Sequence, residues 1–287
     1  MNLLITGALG QLGTQFKALE GQRKEDHFLF TDIQDLDITS KEAVSEYLDA
    51  HEVDVIINCA AYTAVDKAED EPGICDLLNH KAPLLITRLA KSRGIRMVQI
   101  STDYVFDGSK SSPYRESDPT APLSVYGQTK ADMERDILKE DPTAIVIRTA
   151  WLYSQWGRNF PKTILRLLSE KDAISVVNDQ VGSPTWTYDL ARAILSILDP
   201  NPEKGGIFHF SGEGSCSWYD FAQAIRELSG ITSCQIRPVP SSGYPQKAKR
   251  PSYSTLDKTL VKETFHIEIP HWKASLKECL SQLLPIS

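Results

Sequence analysis

Tyr126 and Lys130 stand four residues apart, with Thr102 upstream of the tyrosine. On a helix that spacing projects two side chains from one face about one turn apart, so a phenol and an ammonium can reach the same bound molecule. A free phenol has a pKa near ~10 and moves protons poorly at neutral pH, but an adjacent ammonium favours the phenolate and lowers that value. Lys130 is therefore expected to tune Tyr126. The Thr102 hydroxyl would hold a substrate oxygen within hydrogen-bond reach of the same phenol, the positioning that general acid catalysis requires. A Tyr and a Lys at this spacing also occur often by chance, so the weight falls on what accompanies them.

What accompanies them is a glycine-rich turn, Gly7, Gly10 and Gly13, between an apolar run and a helical stripe of Leu12, Phe16 and Leu19. Missing side chains let the backbone bend sharply and let a pyrophosphate approach helix amides that have no internal partner. Two residues separate successive glycines, which departs from the commonest dehydrogenase fingerprint. Asp32 closes the second apolar run, where a carboxylate accepts hydrogen bonds from an adenosine ribose. Each feature alone fits a tight turn or a solvated acid; the two in this order favour a dinucleotide.

The elements that must position these groups alternate short apolar runs with helix-period segments, the pattern of a parallel sheet covered on both faces. Strands are expected at residues 2–6, 27–31, 53–58, 97–101 and 144–148, with helices at Leu12, Phe16 and Leu19, at Ala82, Leu85, Ile86 and Leu89, and from Tyr126 onward. The expected fold is α/β, a doubly wound parallel sheet of Rossmann type, with a smaller C-terminal substrate-binding domain. Residues 1–150 would form the dinucleotide-binding domain and 151–287 mainly the substrate-binding domain, with room for late strands to join the sheet. Residues 160–168 and 190–198 read as helices, 207–210 as a strand, Ser217 as a helix cap, and the stretch from Pro238 to Pro251 as a loop.

The 287 residues, 41% hydrophobic, can bury a sizeable core. A formal net charge of -7 gives no bulk attraction to nucleic acid or to an anionic membrane. Cys59, Cys75, Cys216, Cys234 and Cys279 are scattered and lack CxxC spacing, which suggests neither a disulfide framework nor a zinc site. No basic-then-apolar leader opens the sequence and no apolar run is long enough to cross a bilayer, so a cytoplasmic location is expected. His80 and His209 show no metal-ligand partners and read as structural.

Gly7-x-x-Gly10-x-x-Gly13, Asn58-Cys59-Ala60-Ala61, Ser101-Thr102-Asp103 and Tyr126-x-x-x-Lys130 resemble, in that order, the extended short-chain dehydrogenase/reductase superfamily. More narrowly, residues 60–69, 101–106 and 125–130 look like the dTDP-4-dehydrorhamnose reductase family. So do Arg148-Thr149-Ala150-Trp151-Leu152-Tyr153 and Asn178-Asp179-Gln180-x-Gly182-x-Pro184-Thr185. The resemblance runs from residue 1 to about residue 280.

That resemblance implies reduction of the C4 ketone of dTDP-4-dehydro-L-rhamnose to dTDP-L-rhamnose, with NADPH or NADH as the hydride source. It gives Tyr126 the proton transfer, Lys130 the nicotinamide ribose, and Thr102 the orientation of the carbonyl. Pyrophosphate would lie on Gly10, Gln11 and Leu12, ribose on Asp32, adenine beside Asp37 and Ile38, and the nicotinamide half along Ala61, Tyr62 and Thr63. Thr102, Asp103, Tyr104 and Trp151 would surround the hexulose. Trp151 could instead be core and Asp37 a helix cap, while Arg250 could meet a nucleotide diphosphate as a charge-assisted fork. Some members of the family join subunits through magnesium held by glutamates. The corresponding positions are Gln15 and Tyr188, which do not suit that metal. A monomer or a homodimer without a metal bridge is expected. Asp32 would repel a ribose 2'-phosphate, yet nothing else favours one nicotinamide cofactor, so dual use is expected. Two other readings remain open at this point: a nucleotide-sugar epimerase or dehydratase that retains its NAD, and a non-catalytic regulatory subunit.

Overall fold

The computed structural model describes residues 1–198 and 204–284. Five early strands, β1 (Asn2–Thr6), β2 (His27–Thr31), β3 (Val55–Asn58), β4 (Arg96–Thr102) and β5 (Ile145–Thr149), share one sheet with the late strand Gly206–His209. Across the sheet the order is β2, β1, β3, β4, β5 and then Gly206–His209, with every neighbouring pair parallel. Parallel neighbours need crossovers, and the helices Gln11–Leu19, Lys41–Ala50, Ala82–Lys91 and Val125–Glu140 lie in them. The chain steps from β1 outward to β2, then returns to the far side of β1 to lay down β3. The carboxyl ends of β1 and β3 therefore form a switch point, the place where sheets of this kind bind ligands.

Strand residues alternate between two apolar layers. Leu3, Ile5, Val55, Ile57, Ile145 and Ile147 meet Phe16 and Ile194 on one face, whereas Leu4, Ile56, Met97 and Val146 meet Val44, Ile86 and Met133 on the other. Both faces are covered, so the strands read as continuous apolar runs, and burying each large side chain stabilises the fold by about 1.5–3 kcal/mol.

Residues after Trp151 serve both the sheet and a second core. Helix Thr187–Leu198 and helix Thr259–Phe265 cover the first face of the sheet. Helices Phe160–Glu170, Trp218–Ser229 and Trp272–Leu283 instead pack together around Leu168, Phe221 and Leu276. Ser217 caps the middle one in a reciprocal capping box with Asp220.

β1 and β2 have the bounds expected from the sequence, other elements shift by one to three residues, and one segment changes type. Pro238 and Val239, read as loop, finish the strand Gln235–Val239, which pairs in parallel with Ala173–Val177. That ribbon has two strands, so Pro238 can turn its missing donor away from the pairing side. Among the described residues no helix is long and apolar enough to cross a membrane.

Candidate active site

A cleft of about 810 Å³ opens over the carboxyl ends of the sheet, and its floor at β1 is the glycine turn. Gly7 has a φ of 65°, and a Cβ on it would sit 2.7 Å from the Ala60 backbone. A Cβ on Gly13 would sit 2.4 Å from the Gly7 carbonyl oxygen, so β1, the turn and the helix can pack this closely only without those side chains. Helix Gln11–Leu19 starts at Gly10 with no side-chain cap, which leaves its first amides for a ligand. The Asp32 carboxylate braces the turn by accepting hydrogen bonds from the Leu9 and Ile33 amides, both at 2.9 Å.

At the other end of the cleft, Ser124 caps helix Val125–Glu140 by accepting from the Gly127 amide at 3.2 Å. Gly127 lets the helix start close against Asp103–Val105, since a Cβ there would fall 2.2 Å from the Tyr104 carbonyl oxygen. The Tyr104 and Tyr126 rings meet edge to face with centroids 5.8 Å apart. Lys130, one turn on, is buried and donates from Nζ to the Ile100 carbonyl at 3.1 Å. Thr102, the last residue of β4, donates from Oγ1 to Asp103 Oδ1 at 3.1 Å and accepts from the Tyr104 amide at 3.2 Å.

Burial sets the proton affinities of this end. It pushes the Tyr126 phenol up to about 12; a hydrogen bond with Thr102 pulls down, while Asp103 and Cys75 push further up. Lys130 does not lower the phenol as the spacing suggested, because its ammonium is turned to the Ile100 carbonyl and desolvation outweighs the rest. Burial lowers Lys130 itself to about 8, with Glu134 pulling the other way. The Asp103 carboxyl is raised by burial to about 6 against hydrogen bonds from Ser254 and Thr102.

Behind Lys130 the same helix carries Glu134, which accepts from Ser101 Oγ at 2.5 Å and pairs with Arg148 Nη2 at 2.6 Å. Arg148 Nη1 donates to His209 Nε2 at 3.2 Å, and His209 Nδ1 donates to the Tyr114 and Asp257 carbonyls, both at 3.1 Å. Burial, reinforced by Arg148, pushes His209 down to about 3, so it sits neutral in this chain of contacts.

Most residues singled out from the sequence converge on the cleft: Gly7, Gly10, Gln11, Leu12, Gly13, Asp32, Ile38, Ala61, Thr63, Thr102, Asp103, Tyr104, Tyr126, Lys130 and Trp151 line it. Three do not. The Tyr62 hydroxyl donates to Glu71 at 2.7 Å, away from the cleft, although its backbone is clamped by Asn79. Asp37 accepts from the amide and hydroxyl of Thr39 in a local turn, and Ser40 rather than Asp37 caps helix Lys41–Ala50. Arg250 lies off the cleft, paired with Asp66 at 2.9 Å, and its charge works against the burial that raises the Tyr104 phenol. Gln15 accepts from Thr187 Oγ1 at 3.2 Å, tying helix Gln11–Leu19 to helix Thr187–Leu198.

The sequence reading missed Thr31, Thr149 and Trp218, all of which line the cleft. Thr31 Oγ1, Thr149 Oγ1 and Asp103 Oδ2 are buried without a hydrogen-bond partner among the described residues. An unsatisfied buried polar atom costs about 1–3 kcal/mol, so three of them around one cleft point to a polar ligand. Thr149 is the register partner of Thr102, a signal that appears only once strand pairing is known. With the glycine cradle and the uncapped helix start, these groups fit a dinucleotide.

The family model described as RmlD substrate binding domain matches residues 1–284. A dTDP-4-dehydrorhamnose reductase of Aggregatibacter actinomycetemcomitans is 40% identical, covering 96% of this chain and 97% of its own. A probable dTDP-4,6-dihydroxy-2-methyloxan-3-one 4-ketoreductase of Streptomyces antibioticus is also 40% identical, covering 99% and 96%. The solved structure of dTDP-4-dehydrorhamnose reductase from Bacillus anthracis in complex with NADP superposes with a TM-score of 0.93 at 34% identity, covering 98% and 99%.

Proposed function

This chain belongs to the dTDP-4-dehydrorhamnose reductase family, and from that premise we propose that it reduces the C4 ketone of dTDP-4-dehydro-L-rhamnose to dTDP-L-rhamnose. NADPH or NADH supplies the hydride. The observation that carries this reading is the convergence of the glycine turn with Thr102, Tyr126 and Lys130 on one cleft. Gly10, Gln11 and Leu12 would offer amides to the pyrophosphate, Asp32 would accept from the ribose, and Ala61 and Thr63 would flank the nicotinamide half. Lys130 would donate to the nicotinamide ribose.

The chain's own part in the reaction is a proton and its placement. Thr102 Oγ1 would turn its hydrogen from Asp103 to the C4 carbonyl oxygen, and Tyr126 Oη would transfer its proton to that oxygen as negative charge develops there. Asp103, Tyr104 and Trp151 would surround the hexulose. Arg250, off the cleft in an ion pair with Asp66, would have to leave that pair to meet a diphosphate. The chain is expected to be cytoplasmic and to act as a monomer or a homodimer without a metal bridge, given Gln15 and Tyr188 at the positions in question.

An assay of NADPH and NADH oxidation with dTDP- and UDP-linked 4-keto-6-deoxy sugars in parallel tests this reading. Stoichiometric consumption with dTDP-4-dehydro-L-rhamnose is expected. Turnover without net consumption would instead indicate an epimerase or dehydratase. No turnover with any sugar would leave the regulatory reading. The equal identity to the Streptomyces antibioticus relative supports a second reading, reduction of another dTDP-linked 4-keto-6-deoxy sugar, which the same panel separates.

A further inference from the structure

Trp151 leaves β5 in an unusual conformation. Its φ of 47° lies in the left-handed region that bulky residues rarely adopt, and such a residue persists only where its surroundings determine it. Its carbonyl accepts from the Thr185 amide at 3.2 Å, and two residues distant in sequence fix its side chain. Trp218 stacks on the Trp151 indole with centroids 3.5 Å apart and planes 7° from parallel. Gly182 abuts the same ring: a Cβ there would lie 2.6 Å from Cε2, 2.8 Å from Nε1 and 2.9 Å from Cζ2 of Trp151.

The two neighbours are brought together by one small unit. Gly182 pairs with Cys216 in a two-stranded antiparallel ribbon, the next residue, Ser217, caps a helix, and Trp218 is the first residue of that helix. Phe160 supports the outer stack, with its ring centroid 4.6 Å from that of Trp218. Trp151 and Trp218 both line the cleft. Aromatic stacking and close packing of this kind hold a side chain in one rotamer and remove the entropy loss that ordering it on binding would bring.

We propose that Gly182 and Trp218 are positioning residues for Trp151, fixing its indole as a preformed wall of the sugar bay. This rests on Trp151 contacting the sugar, as read above. Gly182 is then required because any side chain there drives the ring out of place. The dinucleotide end is built on other elements, the glycine turn and Asp32.

Steady-state kinetics and cofactor titration of Gly182→Ala, Trp218→Ala, Trp218→Phe, Trp151→Ala and the double variant Gly182→Ala/Trp151→Ala test the assignment. Gly182→Ala and Trp218→Ala should each raise the KM for the sugar nucleotide about tenfold or more, with the NADH Kd unchanged. Trp218→Phe, which keeps a stacking ring, should restore most of the loss. The double variant should be no worse than Trp151→Ala alone, since Gly182 acts only through that ring. A Gly182→Ala enzyme with wild-type KM, an additive defect in the double variant, or joint loss of sugar and cofactor binding in Gly182→Ala would overturn the proposal. If Trp151→Ala raises KM while the other two do not, the proposal alone falls. If Trp151→Ala leaves KM unchanged, its reading as a sugar contact falls with it.

Discussion

A phenol raised by burial to about 12 reaches the substrate protonated, which suits a donor rather than a base. A developing alkoxide is the stronger base, so the proton can move at the moment charge appears on the C4 oxygen. Tyr126→Phe should therefore lower kcat by about a hundredfold or more while NADH still binds with wild-type Kd; fluorescence titration beside the activity assay checks both. Lys130 titrates near 8, so its ammonium is lost as pH rises through that value. The kcat/KM profile should fall on that alkaline side, and Lys130→Met should remove the inflection. Asp103 has the opposite history. Its folded pKa of about 6 exceeds the unfolded value of 3.8, so the folded chain binds the extra proton between the two and stability falls as pH rises through that window. Asp103→Asn should escape this cost: its melting temperature should exceed that of the wild type at pH 7.5 by more than at pH 4.5, with turnover reduced. An equal difference at both pH values would contradict the burial reading.

At the scale of elements, the strand, glycine turn and helix that open the chain were legible because each leaves a local trace: an apolar run, residues without side chains, a stripe of period 3.6. The helix bearing Tyr126 and Lys130 was legible for the same reason. What the sequence hid depends on partners far along the chain. Thr149 joins Thr102 only through strand register, and Trp218 reaches Trp151 only through the ribbon at Gly182. The Tyr62 and Asp37 side chains lie off the cleft, where Glu71 and Thr39 hydrogen-bond them, contacts that spacing alone does not reveal. The sign of the Tyr126 shift was misjudged because spacing reveals a neighbouring charge but not the degree of burial. The turn itself gives a sharp test. Gly13→Ala places a methyl 2.4 Å from the Gly7 carbonyl oxygen and 2.5 Å from Ala8 Cα, so the backbone must open. NADH affinity should drop about tenfold or more by calorimetry, with wild-type affinity contradicting the close packing described.

Across the whole molecule, the cleft lies where the sheet meets the second core, and buried polar contacts tie the parts together. Glu134, Arg148 and His209 link the helix of Tyr126 to β5 and to the late strand Gly206–His209, all away from water. Removing one member of a buried pair strands the other charge, so Arg148→Met should cost about 3–5 kcal/mol in urea unfolding. A loss under about 1 kcal/mol would mean that Glu134 finds water instead. At the cleft edge, Asp66 holds the late loop by accepting from the Lys247 and Ala248 amides and pairing with Arg250, while Lys247 pairs with Asp70. In the proposed reading the cofactor would lie over the glycine turn, the sugar towards Trp151, and the phenol between them. The most direct measurement is a crystal structure of the chain with NADP and dTDP-L-rhamnose. The sugar O4 is predicted within about 3 Å of Tyr126 Oη, with C4 of the hexose facing C4 of the nicotinamide. A sugar bound with O4 remote from that phenol, or a nicotinamide lying elsewhere than beside it, would contradict the account.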